Sequence, residues 1–239
     1  MTTNRTSHPT GVPDLRSYRA IHDALRSANE QLVVGLRSLP ESPDAPDRVH
    51  GLRRWFAGYR AELRTHHELE DEVFFPALAG RVRAFAAYAA VLEEDHHRLD
   101  ELIQLLQEAL DRMAVEPLPG GSPVAAAASE HATELRDLMA GHLDVEDRDI
   151  LPMFEHHFTA AEYDVLDQEA LKSVSLRQAL FTVPWFMATA SPEAAAHTFS
   201  DAPLSMKAVH ALTRGRYARL ALQAFGPEGV AVRAEGVLS

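Results

Sequence analysis

The chain has 239 residues, of which 46% are hydrophobic and 24% are charged, and this composition excludes a largely disordered chain. The formal net charge of -12 disfavours nucleic acid as a partner, because an acidic surface repels phosphate groups. The absence of cysteine excludes disulfide scaffolds, thiolate zinc sites and iron–sulfur clusters. No apolar run has the length of a signal-peptide core or a membrane span, so we expect a cytoplasmic protein without a membrane partner.

Hydrophobic periodicity predicts four long helices in the first two thirds of the chain. These segments are separated by prolines, by Gly80 and by the linker EPLPGGSP, and they cover residues 14–39, 47–79, 82–113 and 124–156. Strand-forming residues are scarce, while Ala, Leu, Glu and Arg dominate. The sequence therefore predicts an all-α fold, with an antiparallel up-down-up-down four-helix bundle over residues 14–157.

Residues 158–239 are predicted to form a C-terminal helical extension. A capping-box pattern predicts a helix at 160–173, and the last helix is expected to end at Gly226, with frayed residues after it. Trp185 and Phe186 are expected to serve as packing anchors. We expect the extension to pack either on the bundle or on another subunit.

Histidine is unusually frequent, with 13 copies, and two histidine-containing segments repeat. The stretch HHELEDEVFFPAL begins at His66, and the stretch HLDVEDRDILPMF begins at His142. Both stretches place a glutamate four residues after the histidine, at Glu70 and Glu146, so that each pair shares one helix face. The repeat indicates either two metal-binding pairs or ordinary ion pairing on a helix surface.

The depth of four histidines in the predicted bundle favours metal binding. His22 and His66 lie at similar distances from the first break, and His66 and His96 are similarly placed about Gly80. The linker lies midway between His96 and His142, so antiparallel helices that rise about 1.5 Å per residue bring all four to one level. Four imidazoles and two carboxylates buried there would be costly without a metal. These donors suit two iron ions, with manganese or zinc as alternatives.

This pattern resembles the hemerythrin-like, HHE cation-binding family. It has one histidine in the first helix, His-x-x-x-Glu in the second, one histidine in the third and His-x-x-x-Glu in the fourth. The FFPAL segment after the acidic run is also similar to that family, and the resemblance covers about residues 14–157. The resemblance implies that Glu70 and Glu146 bridge two irons, and it implies four terminal ligands, which are His22, His66, His96 and His142.

The third helix departs from oxygen-carrying hemerythrins, which have a second histidine four residues after the first. Asp100 occupies that place, either as a ligand or as a position left open to water or substrate, and this puts simple oxygen carriage in doubt. The resemblance therefore implies a non-haem di-iron protein that binds or reacts with oxygen, peroxide or nitric oxide in sensing, detoxification or storage. A catalase-like consumption of peroxide is the enzymatic form of this hypothesis. The alternative is a metal-dependent regulatory module that acts through the C-terminal helices on a protein partner or a second copy of the chain.

Five neighbours of the predicted ligands have competing interpretations. His67 and His97 each adjoin a predicted ligand and are the alternatives to it, but His67 is expected to point away from the centre, because one step along a helix rotates a side chain by about 100°. Tyr18 and Tyr59 lie at inward-facing positions, where they either donate a hydrogen bond to a bound ligand or only pack in the core. His131 lies on the same face as His142 and is either a support for the metal ligands or an interior residue.

Overall fold

The computed structural model describes residues 11–116, 122–173, 175–200 and 202–235 of the chain. These residues are largely helical and include no β-strand, which confirms the all-α prediction. The α-helices are α1 (Arg16–Arg37), α2 (Ala45–Leu69), α3 (Phe75–Ala79), α4 (Ala89–Met113), α5 (Pro123–Val145), α6 (Leu151–His157), α7 (Ala160–Ser173), α8 (Leu176–Thr189), α9 (Pro192–Ser200) and α10 (Leu204–Glu235). Within the described ranges, no helix is long and apolar enough to cross a membrane.

Local sequence signals set several helix ends. The Thr159 N–H donates to the Glu162 carboxylate at 2.8 Å, and the Glu162 N–H donates to the Thr159 hydroxyl at 3.3 Å, as the capping box predicts. The predicted helix start at residue 82 is wrong. Val82 is extended there, and a 3-10 turn at Arg83–Ala87 buries Phe85 before α4 begins. Residues 117–121 of the predicted linker lie outside the described residues.

The regular helix from Leu204 ends at Gly226 as expected, but the residues after it form a second helical segment instead of a frayed end. Gly226 has a φ of +68°, a left-handed backbone conformation that a residue without a Cβ adopts freely. Pro227 then starts a new helical segment, where its missing N–H would have had no partner in any case. The chain therefore continues as a helix to Glu235 after a kink, while residues 236–239 lie outside the described residues.

Four long helices surround the main hydrophobic core. Helix α5 packs against α1 and α4, and α4 also packs against α2. The buried side chains of this core come from all four helices and include Leu32, Trp55, Leu106 and Leu135. A second, smaller apolar cluster surrounds Phe74, and it includes residues of α6 and α7.

A layer of buried polar residues separates these two apolar clusters. Along α2 and its continuation, Leu63 belongs to the larger cluster and Phe74 to the smaller one, and the predicted ligands lie between them. Along α4, Leu92 belongs to the smaller cluster and Leu99 to the larger one, with His96 between them. The polar layer is therefore enclosed by hydrophobic packing on both sides along the helix axes.

The C-terminal helices pack on α1 and α2. Helix α10 lies against both of them, and α8 lies against α10. Trp185 and Phe225 are buried in the larger apolar cluster, and the Trp55 indole N–H donates to the Tyr217 hydroxyl at 3.0 Å. The Arg48 guanidinium donates to the Phe225 carbonyl at 3.2 Å. The C-terminal extension therefore packs on the bundle, which is one of the two partners expected for it.

The contact between α2 and α10 is close enough to require a glycine. A Cβ on Gly51 would lie 2.7 Å from the Ala224 nitrogen and 2.8 Å from the Gln223 carbonyl carbon, which are backbone atoms of α10. We expect Gly51→Ala to lower the free energy of unfolding by about 1–3 kcal/mol, because the backbone of α10 must move to accommodate the methyl group. Urea unfolding monitored by circular dichroism would measure this.

Gly141→Ala is the matched control, because the added Cβ, which lies in the C-terminal part of α5, has no heavy atom within 4 Å apart from its own stretch of helix. That substitution should raise the free energy of unfolding by about 0.5–1 kcal/mol through better helix propensity. Equal effects of the two substitutions would contradict the close packing of α10 on α2.

Candidate metal centre

The six predicted ligands are all buried, with at most 9% of each residue exposed. Two groups of side chains each bring their ligand atoms within 4.8 Å of one another. The first donor group contains His22, His66, Glu70 and Glu146, and the second donor group contains His67, Glu70, His96 and His142. The structure therefore brings all six predicted residues together and adds His67.

The two glutamates lie between the donor groups. Glu70 has Oε1 3.1 Å from His66 Nε2 and Oε2 3.5 Å from His96 Nε2. Glu146 has Oε2 3.3 Å from His22 Nε2 and Oε1 3.5 Å from His142 Nε2. Each carboxylate thus directs one oxygen to the first donor group and the other oxygen to the second, an arrangement in which it could bridge two cations.

Both glutamates begin a π-helical turn. The turns cover Glu70–Phe74 and Glu146–Ile150, and each is followed by a proline, Pro76 or Pro152, in the next short helix. A proline in a regular α-helix clashes with the carbonyl of the residue four positions earlier, and the wider π-turn makes room for it. The repeated spacing of glutamate and proline is therefore the sequence feature that gives both glutamates the same backbone setting.

The expectation that His67 points away from the centre is wrong. His67 is buried, and its ring stacks on His96 with 4.1 Å between centroids. The ring of His66 instead faces His22, at 5.3 Å. Because the centre occupies the space between helices, neighbouring residues of α2 reach it in different directions, His66 toward α1 and His67 toward α4.

The other residues considered from sequence lie outside the donor groups. Asp100 and His97 are exposed, and His131 is half-buried. The Tyr59 hydroxyl donates to the Asn29 side-chain oxygen at 2.9 Å inside the larger apolar cluster, so it has a packing role. Tyr18 is the tyrosine that contacts the centre.

Three aspartates that sequence reasoning did not assign support the histidines from outside. The Nδ1 atoms of His22, His96 and His142 lie 2.8, 3.2 and 3.3 Å from carboxylate oxygens of Asp147, Asp71 and Asp95. An Nδ1–H that donates to a carboxylate leaves the Nε2 lone pair free, and it orients the ring toward a metal. A sequence signal exists, since an aspartate directly follows each of the two glutamates and another directly precedes His96.

Several polar atoms that face the centre have no hydrogen-bond partner among the described residues. They are His22 Nε2, His66 Nε2, His67 Nε2, Glu70 Oε2 and both carboxylate oxygens of Glu146. Buried polar atoms in proteins nearly always have partners, because an unpaired one costs free energy. Imidazole nitrogens and carboxylate oxygens are donors to divalent cations, so a pair of cations would satisfy all of these atoms. The residues present fit a two-metal centre.

Comparison with known families agrees with this geometry. The family model of the hemerythrin HHE cation binding domain matches residues 14–154. The chain belongs to this family. No curated protein and no solved structure matches the chain. The matched residues include every member of both donor groups, so the hemerythrin-family region holds the complete centre.

Burial and mutual charge shift the ionisation of this hemerythrin-family centre. Burial raises the pKa of the Glu146 carboxyl well above its ordinary value, and the charge of Glu70 raises it further. Burial acts in the same direction on Glu70, but its imidazole neighbours outweigh burial and lower the pKa of Glu70 below its usual range. Burial lowers the pKa of His66 to about 4 and that of His67 well below its ordinary value. Both rings are therefore neutral at neutral pH, which is the metal-binding form.

The histidine doublet provides a direct test of the donor groups. We expect His67→Ala to weaken metal binding in the second donor group at least about ten-fold, because even residues that only support metal ligands contribute that much. Metal analysis after dialysis should then find a lower metal content per chain than in the wild type. His97→Ala is the matched control, since His97 also neighbours a ligand but is exposed, and it should leave the metal content unchanged. Equal metal loss in both variants would contradict the assignment of His67.

Proposed function

We propose that this hemerythrin-family protein is a non-haem di-iron protein that binds or reacts with dioxygen, peroxide or nitric oxide. The observation that carries the proposal is the pair of buried carboxylates. Each has one oxygen near the first donor group and the other oxygen near the second. Five imidazoles and two carboxylates without a thiolate suit iron, and manganese or zinc would also be accepted. When bound, an iron pair supplies redox equivalents and Lewis acidity for oxygen chemistry.

We also infer that the helices which hold the centre form an antiparallel up-down-up-down bundle. Support comes from the packing of α1 on α5, of α5 on α4 and of α4 on α2, and from donors on each of these helices or their direct continuations. Near-equal helix arms on either side of each break would then bring the donors to one level. Such bundles build metal sites from inward-facing side chains of all four helices.

The two donor groups offer unequal numbers of imidazoles. The second donor group has three, whereas the first donor group has two, His22 and His66. Because each carboxylate directs one oxygen to each group, the first donor group offers four protein donors and the second offers five. Fewer protein donors leave more coordination positions of an ion to water or to a small ligand. We therefore place small-molecule binding at the first donor group.

Tyr18 covers the first donor group. Its ring lies 5.0 Å from His22 and 5.2 Å from Phe74, and its hydroxyl donates to Glu70 Oε1 at 2.7 Å. Burial raises the pKa of Tyr18 well above its ordinary value, so the hydroxyl keeps its proton at neutral pH. The side chain thus excludes water and holds an O–H donor beside the proposed binding position.

The position of His67 makes oxygen carriage chemically accessible to this donor set. Asp100, which occupies the place of the fifth histidine of oxygen carriers, is exposed and outside both donor groups. His67 supplies a fifth imidazole from the neighbouring helix. Carriage and peroxide chemistry are therefore both compatible with the donor set, and kinetics must separate them.

The side chains that the regulatory-module alternative would use to contact a partner are buried inside this chain. Trp185 and Phe186, which it would use to contact a partner, are buried in the same apolar cluster as the bundle. Their packing against α1 and α2 explains their apolar character without a partner.

The proposal is tested by loading the protein with Fe²⁺ under anaerobic conditions and then adding dioxygen, hydrogen peroxide or nitric oxide. We expect oxygen uptake, oxygen release from peroxide or a nitrosyl absorption band at a level that free iron does not reach. An oxygen electrode and an absorption spectrometer would record these outcomes. Iron-loaded protein that is inert to all three molecules would overturn the proposal.

Tyr18→Phe tests the site of small-molecule binding. The substitution removes the hydrogen bond that orients the Glu70 carboxylate beside this position, and the loss of such support commonly lowers activity about 10- to 100-fold, so we expect at least about a ten-fold slower reaction with peroxide. The rate is expressed per bound iron, because the Tyr18 hydroxyl donates to the Glu70 carboxylate and its loss also weakens the support of that donor. Tyr88→Phe is the control, since Tyr88 packs on the smaller apolar cluster and should retain the wild-type rate. An unchanged rate in Tyr18→Phe would remove Tyr18 from the proposed binding position.

A further inference from the structure

A surface cleft leads to the second donor group. The cleft has a volume of about 760 Å³ and is lined by residues of α2, α3 and α4 and of the turns beside them. His67 and His96 both line it, and apolar residues such as Phe75 and Phe85 form part of its wall. The centre is therefore reached from the surface between α2 and α4, on the side where His67 lies.

Carboxylates dominate the charge of this cleft. Glu68, Asp71, Glu93 and Asp100 line it against a single guanidinium, that of Arg64. Asp71 is held by His96, whereas the side chains of Glu68, Glu93 and Asp100 have no ion-pair or hydrogen-bond partner within the part of the chain that the structure describes. Exposed carboxylates without partners keep their charge available to an approaching cation.

The burial of His67 is a second, independent indication that a ligand binds at the inner end of the cleft. Only 5% of this residue is exposed, and its Nε2 has no hydrogen-bond partner among the described residues. An imidazole nitrogen that is buried without a hydrogen-bond partner is suited to bind a cation, and the side chain lines the cleft.

We propose that this cleft is the route by which hydrated Fe²⁺ enters the centre, with the carboxylates attracting the cation and His67 as its first buried donor. The inference rests on the proposed function, since it assumes that the centre takes up iron. It assigns Asp100 a role that does not require coordination, because its charge would act on the cation during approach. The same charges repel anions and leave neutral dioxygen or hydrogen peroxide unaffected.

The test measures Fe²⁺ uptake by the metal-free full chain under anaerobic conditions, as the loss of iron available to a chelating dye. The variant Glu93→Gln with Asp100→Asn removes two charges from the cleft. The control, Glu94→Gln with Glu101→Gln, removes two charges from exposed positions of the same helix outside the cleft. Since focused charges raise association rates by about 10–10³-fold, we expect the cleft variant to take up iron about 3- to 10-fold more slowly at low salt.

Two further readouts separate guidance of the cation from coordination. The final iron content should equal that of the wild type in both variants, because neither changes a member of the donor groups. The difference in rate should largely disappear at about 1 M salt, where the Debye length falls to about 3 Å. Equal rates in the two variants, a rate deficit that persists at high salt, or a lower final iron content in the cleft variant would each overturn the access route. Those outcomes leave the proposed function intact, whereas a wild-type chain that takes up no iron overturns both.

Discussion

The burial of two carboxylates among five imidazoles is the constraint on which the rest of this structure depends. Carboxylates at this depth repel one another, and burial raises the pKa of Glu146 well above its ordinary value. The imidazoles lower the pKa of Glu70 but leave that of Glu146 raised, and burial favours the neutral form of His66 and His67. Several donor atoms consequently have no hydrogen-bond partner within the described residues. Two divalent cations would remove the repulsion between the carboxylates and bind the unpaired donor atoms. This explains why the chain has the residue pattern of the hemerythrin family, with buried polar donors where an ordinary helical bundle would have apolar side chains.

The surrounding fold keeps this polar layer in place. Larger and smaller apolar clusters enclose it from both ends, so that sliding any helix by one turn would bury charge in hydrocarbon. Two π-turns, each followed by a proline, place Glu70 and Glu146 in matching backbone settings. Aspartates outside the layer then fix the orientation of three imidazole rings through Nδ1. The site is therefore preorganised by packing, helix distortion and hydrogen bonds acting on the same few residues.

The two sides of the helical assembly have different roles. The C-terminal helices cover α1 and α2, where Gly51 allows the backbone of α10 to approach closely and where Trp55 and Tyr217 share a hydrogen bond. The side between α2 and α4 remains open as an acidic cleft. Covering one side stabilises the helices that carry His22 and His66, while the open side leaves His67 within reach of the surface. The extension thus contributes to the core of the hemerythrin-family region and leaves the cleft uncovered.

The sequence by itself determined the all-α class, the family and the six residues that the structure brings together, because helix periodicity and a repeated His-x-x-x-Glu are local patterns. Only the tertiary structure showed that His67 lies in a donor group. Successive residues of a helix differ in direction by about 100°, and the sequence does not tell whether the centre is wide enough, from α1 to α4, to be reached in both directions. The tertiary structure likewise decided that Asp100 stays at the surface, that Tyr18 rather than Tyr59 contacts the centre, and that the chain remains helical beyond Gly226. Each of these outcomes depends on which neighbouring helix occupies the space beside a residue, and local sequence does not contain that information.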